Sequence, residues 1–176
     1  TGSTSTIAGG NNNLAYGNYS SIGGGWKNTA SGVYSTVSGG YANKACGDRT
    51  FIGAGYQNII TGGTIGGVIG GGLNNCMLDN YSSIGGGRCN TASGSCSTVS
   101  GGYCNTASGD YSIVGGGAIN TASGGYGAVV VGGRGGSPDQ RRDAAGARHG
   151  AVDHLQLRRP DDGQGDPASH LPQGPE

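Results

Sequence analysis

The chain has 176 residues, of which 42 are glycine and only 33% are hydrophobic, a composition that argues against a conventional globular core and for one repetitive domain. Ten basic residues balance ten acidic ones, so neither a basic nucleic-acid footprint nor an acidic solvating chain is expected. No apolar run approaches the roughly 20 residues of a membrane span, and no charged start with an apolar stretch marks a signal peptide; an export signal is expected to lie outside this sequence, or the protein to belong to a particle released by lysis.

From the N-terminus, a β-branched apolar residue recurs at Ile7, Ile22, Val37, Ile52, Ile69, Ile84, Val99, Val114 and Val129, every step fifteen residues except the seventeen between Ile52 and Ile69. Asparagine keeps the same beat at Asn13, Asn28, Asn43, Asn58, Asn75, Asn90, Asn105 and Asn120, and alanine at Ala15, Ala30, Ala45, Ala92, Ala107 and Ala122. A period this short is too small for a helical hairpin or a propeller blade, so each repeat is expected to form one coil of an all-β, parallel β-solenoid. Eight to nine fifteen-residue coils fit the beat over residues 1–133.

The clearest repeat, Ser97 to Tyr111, contains two extended pieces, Ser-Thr-Val-Ser and Asn-Thr-Ala-Ser, each closed by glycine. Alternation turns Val99 and Ala107 inward and Thr98, Ser100, Thr106 and Ser108 outward. Gly101, Gly102 and Gly109 fall at corners, where glycine most cheaply permits positive φ or close backbone approach. Burying one valine contributes roughly 1.5–3 kcal/mol, whereas ordering each backbone unit costs about 1–2 kcal/mol, so no coil stands alone. Stacking must supply the rest, and the asparagines read as a ladder whose amides hydrogen-bond up the stack. The two extra residues are placed near Thr64 to Val68, as a corner bulge that leaves the stack intact.

Near Gly133 the composition switches. Residues 1–133 hold every Asn, Tyr, Cys, Ile and Lys, while residues 134–176 hold all five prolines and all three histidines. With few large apolar residues the tail cannot offset its ordering entropy, and it reads as disordered. Its origin is open between a flexible linker and a shifted reading frame: read one base later with permissible codons, the stretch from His149 to Leu157 can spell MAPWTTCNY.

The run Ser-x-Val/Ile-x-Gly-x-x-x-x-Ala-Ser-Gly, best copied at Ser35 to Gly47, Ser97 to Gly109 and Ser112 to Gly124, resembles the head repeats of trimeric autotransporter adhesins and of related phage and bacterial fibre proteins. Fibre proteins with Asn-Thr-Ala-Ser-Gly repeats are the closer likeness, because the beat here is longer than that of typical adhesin heads and the chain carries five cysteines. The resemblance implies a left-handed β-roll whose three chains pack side by side, outside the cell, at its surface or on a virion. The alternative-frame spelling resembles the endosialidase-type intramolecular chaperone that follows such heads.

Two further columns could carry function: Trp26, Tyr41, Tyr56, Leu73 and Tyr103 after the paired glycines, and Tyr19, Tyr34, Tyr81, Tyr111 and Tyr126 beyond the alanines. In-line aromatics suit either packing of subunits or contact with a cell-surface glycan or matrix. Outward pairs such as Thr29/Ser31, Thr91/Ser93, Thr106/Ser108 and Thr121/Ser123 form a hydroxyl sheet, which raises ice binding as an alternative. Cys89 and Cys104 lie one beat apart, while Cys46, Cys76 and Cys96 occupy other columns; a disulfide between stacked coils and free thiols in small positions both fit. The triple glycines lack the lysine and helix of a phosphate loop, and no cofactor, metal or catalytic constellation is implied. The reading is a noncatalytic structural or adhesive segment of an extracellular or virion fibre, homotrimeric or stacked end to end as a filament, with neither nucleic acid nor membrane insertion as a partner.

Overall fold

Only two stretches of each repeat are free of glycine and rich in Thr, Val and Ile, so each coil forms two short strands separated by two corners. The computed structural model describes residues 2–135. A nine-stranded parallel sheet stacks Thr6–Ile7, Ser21–Ile22, Thr36–Val37, Phe51–Ile52, Val68–Ile69, Ser83–Ile84, Thr98–Val99, Ile113–Val114 and Val129–Val130. An eight-stranded sheet stacks Leu14–Ala15, Thr29–Ala30, Lys44–Ala45, Ile59–Ile60, Cys76–Met77, Thr91–Ala92, Thr106–Ala107 and Thr121–Ala122. Val99 pairs with Val114 and Ala92 with Ala107, so residues fifteen apart are vertical neighbours. The architecture is a parallel β-solenoid.

Inside, the isoleucines and valines from Ile22 to Val114 lie buried beside the alanines. Ile7 keeps the register but is 41% exposed, because it belongs to the first coil of the described stack. One ladder residue departs from expectation: Val129 is 52% exposed and pairs with Ile113, while Val130 pairs with Val114 and is buried. The cause is an extra glycine. Gly124-Gly125 stands where earlier coils have a single Gly94 or Gly109, which makes the last step sixteen residues.

The seventeen-residue coil places its surplus earlier than Thr64 to Val68. Ile60 pairs with Met77, seventeen residues on, whereas Ile65 lies fifteen before Asn80, whose Oδ1 accepts its N–H. The extra pair is therefore Gly62 and Gly63, and both have open space where a Cβ would stand. Beyond the compositional break, Arg134 still bridges to Ala118 and the Gly135 N–H donates to the Ala118 carbonyl. The tail's expected disorder and its alternative frame concern residues 136–176, outside those described.

Inward-facing Ser20, Ser35, Thr50, Ser82, Ser97 and Ser112 form a buried column absent from the sequence reading. Where that column reaches Gly67, the alanine column has widened to Ile60 and Met77; a Cβ on Gly67 would collide with the Met77 sulfur. The coil thus exchanges volume between two columns and keeps its width.

The corners use more than glycine. Each ordinary coil contains two non-glycine residues in the left-handed region, such as Lys27 (φ 56°) and Tyr34 (φ 59°). The strained conformation, roughly 1–2 kcal/mol for an L-residue, reverses the peptide. Strand N–H groups donate to the following coil, as Thr29 does to the Asn43 carbonyl, whereas Lys27 and Tyr34 donate back to Asn11 and Asn18. Gly109 and its counterparts serve close approach instead: a Cβ on Gly32 would strike the Gly47 carbonyl.

Candidate functional site

The asparagines are part of the scaffold at the first corner. The Asn43 N–H donates to Asn28 Oδ1 at 3.0 Å, while Asn28 Nδ2 donates to the carbonyls of Gly24 (3.0 Å) and Gly40 (2.9 Å). The same set recurs at Asn13, Asn43, Asn58, Asn75, Asn90 and Asn105, and Asn120 likewise donates to Gly116 and Gly133. From Asn28 to Asn120 these side chains are fully buried, so they present nothing to a ligand.

On this frame the first corner raises a continuous ridge of exposed and half-buried side chains. Parallel bridges link Trp26, Tyr41, Tyr56, Leu73, Arg88, Tyr103, Ala118 and Arg134 in order. The Tyr41 and Tyr56 rings stack at 4.7 Å and 7°, and Trp26 stands edge-on to Tyr41 at 4.9 Å and 66°. Lys27 Nζ lies 4.6 Å from the Trp26 ring centre, and the Arg88 guanidinium 5.6 Å from that of Tyr103. Ring faces are thus largely taken up by neighbouring rings and cations. A hydrogen bond with the Cys104 side chain, helped by the charge there, raises the Tyr103 phenol above its ordinary pKa.

Beside the ridge runs a groove of about 400 Å³ across three coils, lined by Ala42 and Lys44, then Gln57 and Ile59, then Asn74 and Cys76. Ala42, Gln57 and Asn74 follow Lys27 in one column, all in the left-handed conformation. The sequence reading passed over Lys27, Arg88 and Ala42, and saw Lys44 only as a break in the Thr/Ser pairs; Arg88 lies fifteen residues after Leu73 and could have been found by following the column regardless of residue type.

The second corner is different in character. Tyr19 and Tyr34 stack at 4.9 Å and 7°, and Tyr111 meets Tyr126 at 4.6 Å. The extra glycine sets Gly127, rather than Tyr126, in line with Tyr111: the Gly127 N–H takes the Asp110 carbonyl. A hydrogen bond with Tyr126 raises the Tyr111 phenol pKa. Here a two-coil rhythm is superimposed on the one-coil beat. Oδ1 of Asn18, Asp48, Asn80 and Asp110 accepts the N–H of Ser3, Val33, Ile65 and Ser95 respectively, so every second coil offers an acidic or amide cap to its predecessor.

The aromatics of the two columns therefore divide between two edges: Trp26, Tyr41, Tyr56 and Tyr103 on the first, Tyr19, Tyr34, Tyr81, Tyr111 and Tyr126 on the second. On the flat face, Thr91, Thr106 and Thr121 stack over three successive coils, but the same file continues as Cys76, Ile59 and Lys44 before Thr29. Cys46, Cys76, Cys89, Cys96 and Cys104 are all free and half-buried, and desolvation pushes the Cys76 thiol up. Among the described residues no cluster of His, Cys, Asp and Glu could hold a metal ion, and no helix is long and apolar enough to cross a membrane.

Two stretches of the chain, residues 35–47 and 97–109, match the ubiquitous surface protein adhesin repeat. Both lie in ordinary fifteen-residue coils. With the solenoid around them, they make the chain similar to repeat proteins of the trimeric autotransporter adhesin type, a structural and adhesive class displayed at the cell surface. No curated protein matches the chain.

Proposed function

We propose that the chain is a noncatalytic attachment segment of an extracellular or virion fibre, built from several copies of the chain. The observation that carries this reading is the ridge from Trp26 to Tyr103, where exposed Trp26, Tyr56, Arg88 and Tyr103 and half-buried Tyr41 and Leu73 return coil by coil on one ladder. Such a surface multiplies weak contacts: once one coil engages a repetitive partner, the next contact is intramolecular and gains effective concentration. The two adhesin-repeat matches support the same reading. Copies of the chain associate through other exposed apolar surface, notably the paired Phe51 and Val68 and the paired Ile113 and Val129 on the nine-stranded sheet.

Replacing Tyr41 and Tyr103 with serine tests the division of labour. The variant is expected to keep the sedimentation behaviour of the native protein and to lose at least tenfold in attachment to cells or extracellular matrix. Dissociation of the assembly, with attachment per chain unchanged, would instead assign the ridge to subunit packing and reject this reading.

A further inference from the structure

We infer that the first-corner edge binds a linear acidic polysaccharide laid along the solenoid axis, with its carboxylate or sulfate groups facing Lys27, Lys44 and Arg88. The inference rests on the attachment reading above and names the class of its ligand.

Charge is segregated between the two edges. Among the described residues the basic side chains are Lys27, Lys44, Arg49, Arg88 and Arg134, and all but Arg49 belong to the first corner or the strand beside it. The described carboxylates, Asp48, Asp79 and Asp110, all lie at the second corner. An anion approaching the fibre is therefore drawn to the first edge and turned away from the second. The groove lies on the favoured side: Lys44 supplies the cation, the exposed Gln57 and Asn74 supply amide donors and acceptors, and no acidic side chain lines it.

Spacing and ring orientation select among anions. Adjacent coils are separated by about 4.8 Å, so Lys27 and Lys44 stand one such step apart and Arg88 about 15 Å further on. An extended polysaccharide advances by a similar step per sugar, so each coil from Lys27 to Arg88 can face one sugar and the three cations can meet the acidic groups that fall in register with them. A single-stranded nucleic acid needs open ring faces on which its bases can stack. Here the Tyr41 and Tyr56 faces cover each other, and those of Trp26 and Tyr103 meet Lys27 and Arg88. What the edge offers is cations, amides and ring edges, the chemistry suited to hydroxyl-rich anions.

The test uses the 176-residue chain and immobilised polygalacturonate, with its methyl-esterified form as an uncharged control of the same backbone. The native chain is expected to bind polygalacturonate at least tenfold more tightly than the ester, and to release it as salt rises. K44Q/R88Q should lose at least tenfold, while D110N, which keeps the Oδ1 acceptor for Ser95, should lose nothing; matching circular dichroism excludes misfolding. Equal binding of the ester, unchanged binding by K44Q/R88Q, or tighter binding of polythymidylate would each overturn the inference. If K44Q/R88Q still attaches to matrix as the native chain does, the ligand class is wrong and the attachment reading stands; if the native chain fails to attach at all, the attachment reading itself falls.

Discussion

Asn105 shows how much one side chain carries. Its Nδ2 donates to the carbonyls of Gly101 (2.9 Å) and Gly117 (3.0 Å), and its Oδ1 accepts the Asn120 N–H (2.9 Å). Truncation to alanine strands three backbone groups at about 1–3 kcal/mol each, so Asn105→Ala should destabilise the chain by about 3–9 kcal/mol, seen as a lower thermal midpoint. Asn105→Asp should be worse than alanine, although it is nearly isosteric, because a carboxylate cannot donate to the two carbonyls and brings a buried charge. An aspartate variant as stable as the native chain would show that the donor half of the amide contributes nothing. The left-handed residues are a second residue-scale lesson. Tyr34, Lys27 and their counterparts take a conformation usually left to glycine, and the backward hydrogen bond to the preceding coil accompanies it.

A coil is filled by inward columns of Ile/Val, Asn, Ala and Ser, and a large change in one is met by a change in its neighbour. Gly67 is the clearest case, standing in the serine column where Ile60 and Met77 have enlarged the alanine column. Restoring the usual residue with Gly67→Ser should cost about 1–3 kcal/mol through overpacking against the Met77 sulfur. Adding Met77→Ala should recover most of that loss, making a double-mutant cycle with a large coupling. If G67S alone is neutral, the two columns are not sharing one space. Length is tolerated by a different rule. Gly62 and Gly63, and the surplus glycine at Gly124-Gly125, all fall in the second corner, where extra backbone can leave the stack without shifting either sheet.

The whole molecule is one-dimensional: hydrogen bonds that leave a coil reach only the coils next to it, so each coil is supported by the two beside it. Amide hydrogen exchange should therefore grade along the axis, with greatest protection from Val37 to Val99 and least near Thr6–Ile7 and Val129–Val130. Uniform protection from end to end would mean that the stack opens as a single unit. The same geometry makes the edges functional surfaces. A ladder has no pocket of its own, so recognition depends on which side chains a corner repeats, and the first corner repeats rings and cations while the second repeats rings and Asx caps.

Sequence alone determined the coil. A fifteen-residue beat in Ile/Val, Asn and Ala fixes which residues stack, because a parallel ladder places identical side chains over one another and local alternation decides which of them point inward. The same periodicity misplaced Val129: in the run Val129, Val130, Val131 composition cannot choose a register, and only the closing of the last coil around Gly124-Gly125 turns Val130 inward. The serine column escaped notice because serine looks like an outward residue until the chain bends back and encloses it. The separation of Lys27, Lys44 and Arg88 from Asp48, Asp79 and Asp110 was likewise settled by the tertiary structure. Along the chain these charges are interleaved and sum to little, and folding sorts them onto opposite edges by assigning each corner its own phase of the repeat.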